Sequence, residues 1–288
     1  MTVWQTTRFH IDLAQPRIMG IVNVTPDSFS DGGDLANAGM AIAHAESLIQ
    51  AGAHILDVGG ESTRPGATPV SEADEWARIE PVLKAVVSWQ VPISVDSYKP
   101  NIMQRALDMG VDIINDVWAL RRVNVQGLSA ETVVAAHPNC GVCLMHMHLE
   151  PTTMQIAPMV GDVVPQVRDF LKTRADSLLQ HGVSPNRVVL DYGIGFGKTV
   201  EQNCALLARQ HELLALSFPL LAGWSRKSTL GKITGHDNAK DRVAASVAAA
   251  LMAVERGARI VRVHDVQATA DALKVWQAVV SPKLSQSR

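Results

Sequence analysis

The sequence has few cysteines and no long apolar run. Three cysteines in 288 residues are too few for a disulfide framework, so a reducing compartment, the cytoplasm, is expected. No stretch approaches the roughly 18 consecutive apolar residues of a membrane span. The N-terminus also lacks the basic and apolar regions of a secretory signal. A soluble cytoplasmic protein without a membrane partner is therefore expected.

Charged residues are scarce and balanced in sign. They make up 19% of the chain, against 47% hydrophobic residues, and 26 basic and 28 acidic side chains give a net charge of −2. Proteins that bind nucleic acids or membrane surfaces gain affinity from clustered Lys and Arg, and no such cluster stands out here. No nucleic-acid partner is expected, and a few placed residues must bind any anionic ligand.

The sequence does contain a repeated alternation of short apolar runs and longer segments with helical spacing. The eight runs, rich in β-branched residues, are Ile18–Val24, His54–Val58, Val91–Val95, Val111–Ile114, Val142–Met145, Val188–Leu190, Leu220–Ala222 and Ile260–Val263. Helix-like stretches lie between or after them, for example at Ala41–Ala51, Ala73–Trp89, Val163–Gln180 and Val266–Val280. Continuous apolar strands that alternate with helices indicate a parallel sheet covered on both faces.

Eight strand–helix units in a chain of this length favour a single (β/α)8 TIM barrel. The alternative is an open sheet of six or seven strands, because the first and seventh runs carry the weakest signal. No linker or charge run divides the chain. We therefore predict one domain over residues 1–288, with a barrel core at about 18–280.

Polar side chains lie at or shortly after the end of every apolar run. They are Asn23, Asp57, Asp96, Asn115, His146, Asp191, Lys227 and the pair Arg262 and His264. Any one of them could be a helix cap or a turn residue. In a barrel, however, all the strands end at the face that carries the active site. The repetition therefore predicts a shared polar pocket rather than independent caps.

Two kinds of chemistry are expected on opposite sides of this pocket. Carboxylate and amide acceptors suit a flat heterocycle with an amino-amide edge, and they are supplied by Asp96, Asn115 and Asp191. Cations suit a phosphate or diphosphate, and they are supplied by Arg64, Lys227, Arg262 and His264. Asn23 could help to hold Mg²⁺, which prefers few protein oxygens together with substrate phosphates and water.

Three loops add to the pocket. The segment 23–33 is rich in hydroxyl groups and glycine and has Phe29 at its centre, which favours a lid over the site. In the segment 59–66, Thr63 and Arg64 offer a hydroxyl and a guanidinium to an anion. The segment 225–228, Ser-Arg-Lys-Ser, lies where a helix is expected to begin, and helix N-termini bind anions.

Three other patterns resemble a nucleotide loop, a redox site and a zinc site, but none of them is interpreted in that way. The segment 193–199 lacks the first P-loop glycine, since Tyr192 stands there, and is interpreted as a loop that approaches a ligand. Cys140 and Cys143 form a C-x-x-C, but Cys143 lies in an apolar strand, so a buried structural role is expected. His146 and His148 share one extended strand, which cannot surround a tetrahedral zinc ion.

At these residues the chain resembles the dihydropteroate synthase family from about Ile18 to its final helix. The shared motifs are MGIVNVTPDSFSDGG at 19–33, LDVGGESTRPGA at 56–67, SVDSYKP at 94–100, IND at 114–116, LMHM at 144–147, TMQ at 153–155, GIGFGK at 193–198, SRKS at 225–228 and RVHDV at 262–266. The resemblance implies a (β/α)8 barrel that joins 6-hydroxymethyl-7,8-dihydropterin diphosphate to p-aminobenzoate. It also implies Mg²⁺ as cofactor, inhibition by sulfonamides and a homodimer formed through barrel helices.

The resemblance further implies roles for individual residues. The residues implied to be catalytic are Asp96, Lys227, Arg64 and Asp191. Those implied to hold the pterin are Asp96, Asn115, Asp191, Lys227 and Met145. The diphosphate would be bound by Thr63, Arg64, Arg262 and His264, with Mg²⁺ at Asn23. The p-aminobenzoate pocket would contain Phe29, Pro65, Phe196, Lys227 and Ser228, and the lid loop would include Asp27, Ser30 and Asp31.

The chain departs from the family pattern at three places. Tyr192 replaces a proline and could alter how Asp191 meets the pterin, or line the pocket wall. Leu149 stands where glycine is common, and residues 118–126 match no family pattern. Two alternative functions are a pterin-dependent methyltransferase barrel and a non-catalytic pterin-binding paralogue. The complete set of cations and lid residues speaks against both.

Overall fold

The computed structural model describes residues 2–25, 34–63, 66–150, 153–154 and 156–281. The strands of the described residues are β1 (Val3–Gln5), β2 (His10–Asp12), β3 (Arg17–Asn23), β4 (Ile55–Gly59), β5 (Ile93–Asp96), β6 (Ile113–Asp116), β7 (Gly141–Met145), β8 (Val188–Asp191), β9 (Leu220–Ala222) and β10 (Ile260–Val263). The α-helices are α1 (Asp34–Gln50), α2 (Glu72–Val86), α3 (Pro100–Asp108), α4 (Ala130–Ala136), α5 (Val163–Gln180), α6 (Val200–Ala208), α7 (His211–Leu214), α8 (Ser228–Thr234), α9 (Val243–Glu255) and α10 (Val266–Val280).

Strands β3 to β10 form a closed barrel of eight parallel strands. Closure is direct, because β10 pairs with both β9 and β3. The predicted (β/α)8 TIM barrel is therefore confirmed, and the open-sheet alternative is wrong. Each predicted apolar run overlaps one of these strands, and α5 and α10 occupy the residues predicted for them. The one-domain organisation of residues 1–288 stays a prediction.

The N-terminal hairpin of β1 and β2 was not predicted, and it covers the amino-terminal end of the barrel. Trp4 on β1 is fully buried, and its Nε1 donates to the carbonyl oxygen of Arg187, 2.9 Å away, just before β8. The Trp4 side chain packs on the lowest layer of inward-facing side chains, which includes Met19, Ile55 and Ile113. A bulky indole thus fills the end of the barrel opposite to the predicted site.

The barrel interior changes from apolar to polar along each strand. Side chains alternate between the two faces of a strand. On β4, Leu56 and Val58 therefore pack against the surrounding helices, whereas Ile55 joins the lower layer inside. Two residues further along the same face comes the fully buried Asp57. The polar layer therefore lies at the carboxyl ends of the strands. Within the described residues, no helix combines the length and apolarity that crossing a membrane requires.

Candidate functional site

A cavity of about 890 Å³ opens at the carboxyl ends of the barrel strands. The predicted site residues that line it are Asn23, Thr63, Asp96, Asn115, Met145, Asp191, Phe196, Lys227, Ser228, Arg262 and His264. The remaining predicted residues lie outside the described part of the chain: Asp27, Phe29, Ser30, Asp31, Arg64 and Pro65. The pocket inferred from the strand ends is therefore one cavity in the fold, although two of the strand-end residues, Asp57 and His146, do not line it.

Arg262 lies among carboxylates at the floor of this cavity. Its Nε is 2.6 Å from Oδ2 of Asp57, and its Nη2 is 2.7 Å from Oδ2 of Asp96. Asn115 Nδ2 donates to the same Asp57 oxygen at 3.0 Å. The predicted division into an acidic and a basic side is therefore wrong for Arg262, which lies among the carboxylates. The guanidinium reaches across from β10 to β4 and β5, where the buried carboxylates require a counter-charge.

Burial raises the pKa of the carboxyl groups at the floor. The pKa of Asp96 rises to about 7 because the group is desolvated, although the positive charge of Arg262 opposes the rise. Desolvation also raises the pKa of Asp191, against the N–H of Gly193 and the charge of Lys227. Such a floor favours ligands that bring hydrogen-bond donors or positive charge.

The Gly193–Lys198 loop fixes the position of Asp191. Gly193 donates its N–H to Oδ1 of Asp191 at 2.7 Å, with φ at +66°. A Cβ on Gly193 would lie 1.9 Å from the carbonyl oxygen of His146, so only glycine fits there. Phe196 of this loop lines the cavity, as does Gly195. The interpretation of this loop as one that approaches the ligand site agrees with that position.

A buried ammonium holds the same loop together. Lys198 Nζ lies 2.8 Å from the carbonyl oxygen of Gly193, 3.1 Å from that of Phe196 and 2.9 Å from Nδ1 of His146. Desolvation lowers the pKa of Lys198 to about 7. His146 also packs edge-on against Phe170, so its environment is that of a structural histidine.

The Ser225–Ser228 segment places a hydroxyl, cations and a helix start at the cavity. Ser225 Oγ lies 3.0 Å from Nδ1 of His264. Arg226 is paired with Asp265, with Nε and Nη2 at 2.9 and 2.5 Å from its carboxylate oxygens. Lys227 Nζ lies 4.2 Å from the centroid of the Phe196 ring, and α8 begins at Ser228 as predicted. A flat aromatic ligand beside Phe196 would thus be close to a cation.

Some residues at the site were not predicted. Asp57, the partner of Arg262, was recognised as a strand-end residue but was given no role, although an acid between Leu56 and Val58 in an apolar strand was a signal. His44 and Glu61 line the cavity. His44 lies in the middle of α1, where helical periodicity gives no sign of a pocket. Desolvation lowers its pKa.

The structure accounts for two departures from the family pattern. Tyr192 is fully buried and does not line the cavity. Its hydroxyl donates to Oε1 of Gln210 at 3.0 Å and accepts from Nε1 of Trp224 at 3.3 Å, outside the barrel wall. The interpretation of Tyr192 as part of the pocket wall is wrong, because it points to the helices. Leu149 has φ at +58°, the left-handed conformation that favours glycine.

The segment 118–126, which matches no family pattern, turns sharply behind the cavity wall. The carboxylate of Asp116 accepts the N–H groups of Trp118 and Leu120, each at 2.7 Å. Ala119 and Leu120 adopt φ of +52° and +60°. Arg122 lies 4.0 Å from the Trp118 ring centroid and stacks there. The segment therefore supports the wall rather than entering the cavity.

The C-x-x-C cysteines are both buried, as predicted. Burial raises the pKa of Cys140 and of Cys143, so neither thiol is activated. Among the residues that the structure describes, no three His, Cys, Asp or Glu side chains converge to hold a metal ion. Asn23, the residue predicted to bind Mg²⁺, lines the cavity with its side-chain amide. That donor fits an Mg²⁺ ion held largely by the phosphates of a substrate.

The chain is similar to known proteins over nearly its whole length. A family model described as pterin binding enzyme matches residues 19–264. A dihydropteroate synthase from Neisseria meningitidis serogroup B is 56% identical over 282 residues, covering 96% of this chain and 97% of that protein.

Solved structures of relatives have the same fold. A Xanthomonas albilineans dihydropteroate synthase with 4-aminobenzoic acid is 46% identical with a TM-score of 0.87, covering 94% of this chain and 96% of that chain. A Burkholderia cenocepacia dihydropteroate synthase complexed with 7,8-dihydropteroate is 47% identical with a TM-score of 0.86, covering 97% of each chain.

Proposed function

The chain belongs to the pterin-binding enzymes and, within them, to the dihydropteroate synthases, and we propose how its barrel performs their reaction. The enzyme joins 6-hydroxymethyl-7,8-dihydropterin diphosphate to p-aminobenzoate and releases 7,8-dihydropteroate and diphosphate. The observation that carries the assignment of roles is a single cavity. Its floor holds Asp96, Asn115 and Asp191, and Lys227 and Ser228 stand at its side.

The pterin ring binds at the floor. Carboxylate and amide groups of Asp96, Asn115 and Asp191 accept and donate hydrogen bonds at the amino-amide edge of the ring. Met145 supplies an apolar wall. Lys227 lies close enough to Asp191 for its charge to oppose the rise in the pKa of Asp191 that burial causes. Desolvated carboxylates also favour the positive charge that develops on the pterin as the diphosphate departs. Asp96 and Asp191 thereby act in catalysis as well as in binding.

The diphosphate lies toward Thr63, Arg64, Arg262 and His264. The Nε and Nη2 atoms of Arg262 contact Asp57 and Asp96, and Nη1, which is in neither ion pair, faces the diphosphate in this proposal. Asn23 would hold Mg²⁺ together with the phosphates. The ion, when bound, neutralises charge on the leaving diphosphate. Arg64 keeps its proposed catalytic role but lies outside the described residues.

The p-aminobenzoate stacks beside Phe196, with its carboxylate near Ser228 at the start of α8. Lys227, whose Nζ lies 4.2 Å from the Phe196 ring centroid, adds a positive charge there. No strong base is required, because the aniline nitrogen has a free electron pair, so positioning is the main requirement. Phe29 and Pro65 are proposed to complete this pocket. Asp27, Ser30 and Asp31 are proposed to belong to a loop that excludes water.

A homodimer in the cytoplasm is part of the proposal. Helices α9 and α10 pack on each other, and they expose Met252, Val275 and Val279, which are 42%, 67% and 72% accessible. Exposed apolar side chains of this kind support an interface between subunits. The free cysteines support a reducing compartment.

Diphosphate release from the purified protein tests the proposed reaction. With Mg²⁺, the dihydropterin diphosphate and p-aminobenzoate, we expect diphosphate and dihydropteroate to form in equal amounts. A sulfonamide should block both products, and chelation of Mg²⁺ should slow both until the ion is restored. Tight pterin binding without any turnover would contradict the proposal and favour a non-catalytic paralogue.

A further inference from the structure

Lys99 is a buried cation outside the predicted site. It is the N-cap residue of α3, and its side chain is 9% exposed. Its Nζ makes three contacts of 2.5 Å, with Oε2 of Glu61, Oε2 of Glu75 and the carbonyl oxygen of Val70. A buried ammonium with three acceptors is fully satisfied, so its geometry is well defined.

The three acceptors lie on the two flanks of the connection between β4 and α2. Glu61 follows the end of β4 and lines the cavity. Val70 precedes the N-cap of α2, and Glu75 lies in the first turn of that helix. A single ammonium therefore joins the start and the end of this connection. Thr63, two residues after Glu61, also lines the cavity.

Two further contacts hold the start of this connection, at Gly60 and Glu61. The Tyr98 hydroxyl donates to Oε1 of Glu61 at 3.0 Å, so both oxygens of that carboxylate are engaged. Arg78 Nη1 donates to the carbonyl oxygen of Gly60 at 2.9 Å. A Cβ on Gly60 would lie 2.9 Å from the Ile79 side chain, so the backbone passes tightly over α2.

We propose that Lys99 is a positioning residue for the diphosphate: by tying Glu61 to Val70 and Glu75, it holds Thr63 at the cavity. The proposal rests on the proposed function, in which Thr63 contacts the diphosphate. The pterin ring binds to residues on other strands, at the barrel floor. Loss of the tie should therefore weaken binding of the diphosphate group and spare binding of the ring.

The test uses a variant that keeps the buried charge constant. Lys99→Met with Glu75→Gln removes one positive and one negative charge, so the net charge of the buried cluster is unchanged, and Glu61 keeps its hydrogen bond from Tyr98. Tyr98→Phe is a milder variant that removes only one hydrogen bond to Glu61. Lys84→Met with Glu80→Gln is the matched control, because it makes the same two substitutions at an exposed ion pair on α2.

Two dissociation constants are measured by calorimetry for each variant, with Mg²⁺ and without p-aminobenzoate. One ligand is 6-hydroxymethyl-7,8-dihydropterin diphosphate, and the other is the same pterin without diphosphate. We expect the affinity gained from the diphosphate to fall about tenfold in the Lys99 double variant, as for a lost charge-assisted contact. The fall should be smaller in Tyr98→Phe and absent in the control.

Thr63→Val separates failure of this proposal from failure of the proposed function. If Thr63→Val lowers the diphosphate contribution but the Lys99 double variant does not, Lys99 has no positioning role. Equal losses for both ligands in that double variant would also overturn the proposal, because they indicate general damage. If Thr63→Val changes nothing, the diphosphate lies elsewhere and both proposals fail. If the Lys99 double variant does not fold, the two dissociation constants of Tyr98→Phe are compared in the same way, and equal or absent losses for the two ligands overturn the proposal.

Discussion

Replacement of Arg262 by methionine tests the ion pairs at the cavity floor. The guanidinium contacts Asp57 at 2.6 Å and Asp96 at 2.7 Å, and the two carboxylate side chains are 0% and 13% exposed. Removal of one partner from a buried ion pair costs about 3–5 kcal/mol, since it leaves a buried charge without compensation. Asp96, however, can escape part of this cost by taking up a proton.

The proton uptake gives the loss of stability a defined dependence on pH. A carboxyl group with a higher pKa in the folded than in the unfolded chain stabilises the folded state at low pH, and this contribution is lost as the pH rises through the folded pKa. For Asp96 the folded pKa is about 7, against 3.8 for the ordinary group, despite the opposing charge of Arg262. Without Arg262 the folded pKa must rise further. The difference in free energy of unfolding between wild type and Arg262→Met should therefore grow above pH 7, by up to about 1.4 kcal/mol per pH unit.

Urea unfolding of both proteins from pH 5 to pH 9 measures this difference. We expect it to be nearly constant below pH 6 and to reach about 3–5 kcal/mol at the highest pH. Lys274→Met is the matched control, because Lys274 pairs with Asp271 at an exposed position on α10. That control should show little change at any pH. A pH-independent difference for Arg262→Met would refute the reasoning.

Three further predictions concern the wall of the cavity and the residues behind it. Asp191→Asn and Lys227→Ala should each lower kcat/KM about 100-fold with an unchanged circular dichroism spectrum, because each removes a charged partner of the pterin; normal turnover of either would contradict its role. Tyr192→Phe should lower the free energy of unfolding by about 1–3 kcal/mol, through its lost bonds to Gln210 and Trp224. The KM for the pterin should not change, and a changed KM would place the ring at the site. Gly193→Ala should unfold at a lower temperature and lose activity, because its methyl group would collide with the His146 carbonyl. An unfolding temperature and an activity equal to those of the wild type would contradict this prediction.

The positions of single site residues could be predicted from the sequence. Each barrel strand overlaps a short apolar run, and polar residues at the ends of several of these runs line the cavity. Asp96, Asn115 and Asp191 are found in this way. The inference needs only the local run and the rule that parallel strands end together.

The pairing of those residues could not be predicted. Arg262 and Asp57 are 205 residues apart, and they meet only because β10 and β3 close the barrel. The ion pairs of Lys99 with Glu61 and Glu75 likewise depend on how the connection after β4 packs against α2. The long side chains of Arg and Lys can reach several carboxylates, and the sequence does not give the distances that determine which of them form ion pairs.

The end of the barrel opposite to the site was also missed, for a different reason. Strands β1 and β2 have three residues each, too few for an alternation to be recognised. The role of Trp4 becomes visible only when the lower layer and the carbonyl of Arg187 are in place.

The same strands thus serve two purposes at their two ends. At the lower end, apolar side chains around the fully buried Trp4 contribute burial without any ligand, at about 25 cal/mol per Å² of apolar surface. At the upper end, Asp57, Asp96 and Arg262 are desolvated, which costs stability unless each charge is paired. The ion pairs between Arg262 and the two carboxylates supply this pairing of charges before substrate binds. When the substrate binds, the pterin brings hydrogen-bond donors to the carboxylates and the diphosphate brings negative charge to Arg262. The residues that stabilise the fold and those that bind substrate therefore lie at opposite ends of the barrel. Substitutions at the lower layer should change the free energy of unfolding without changing the affinity for substrate.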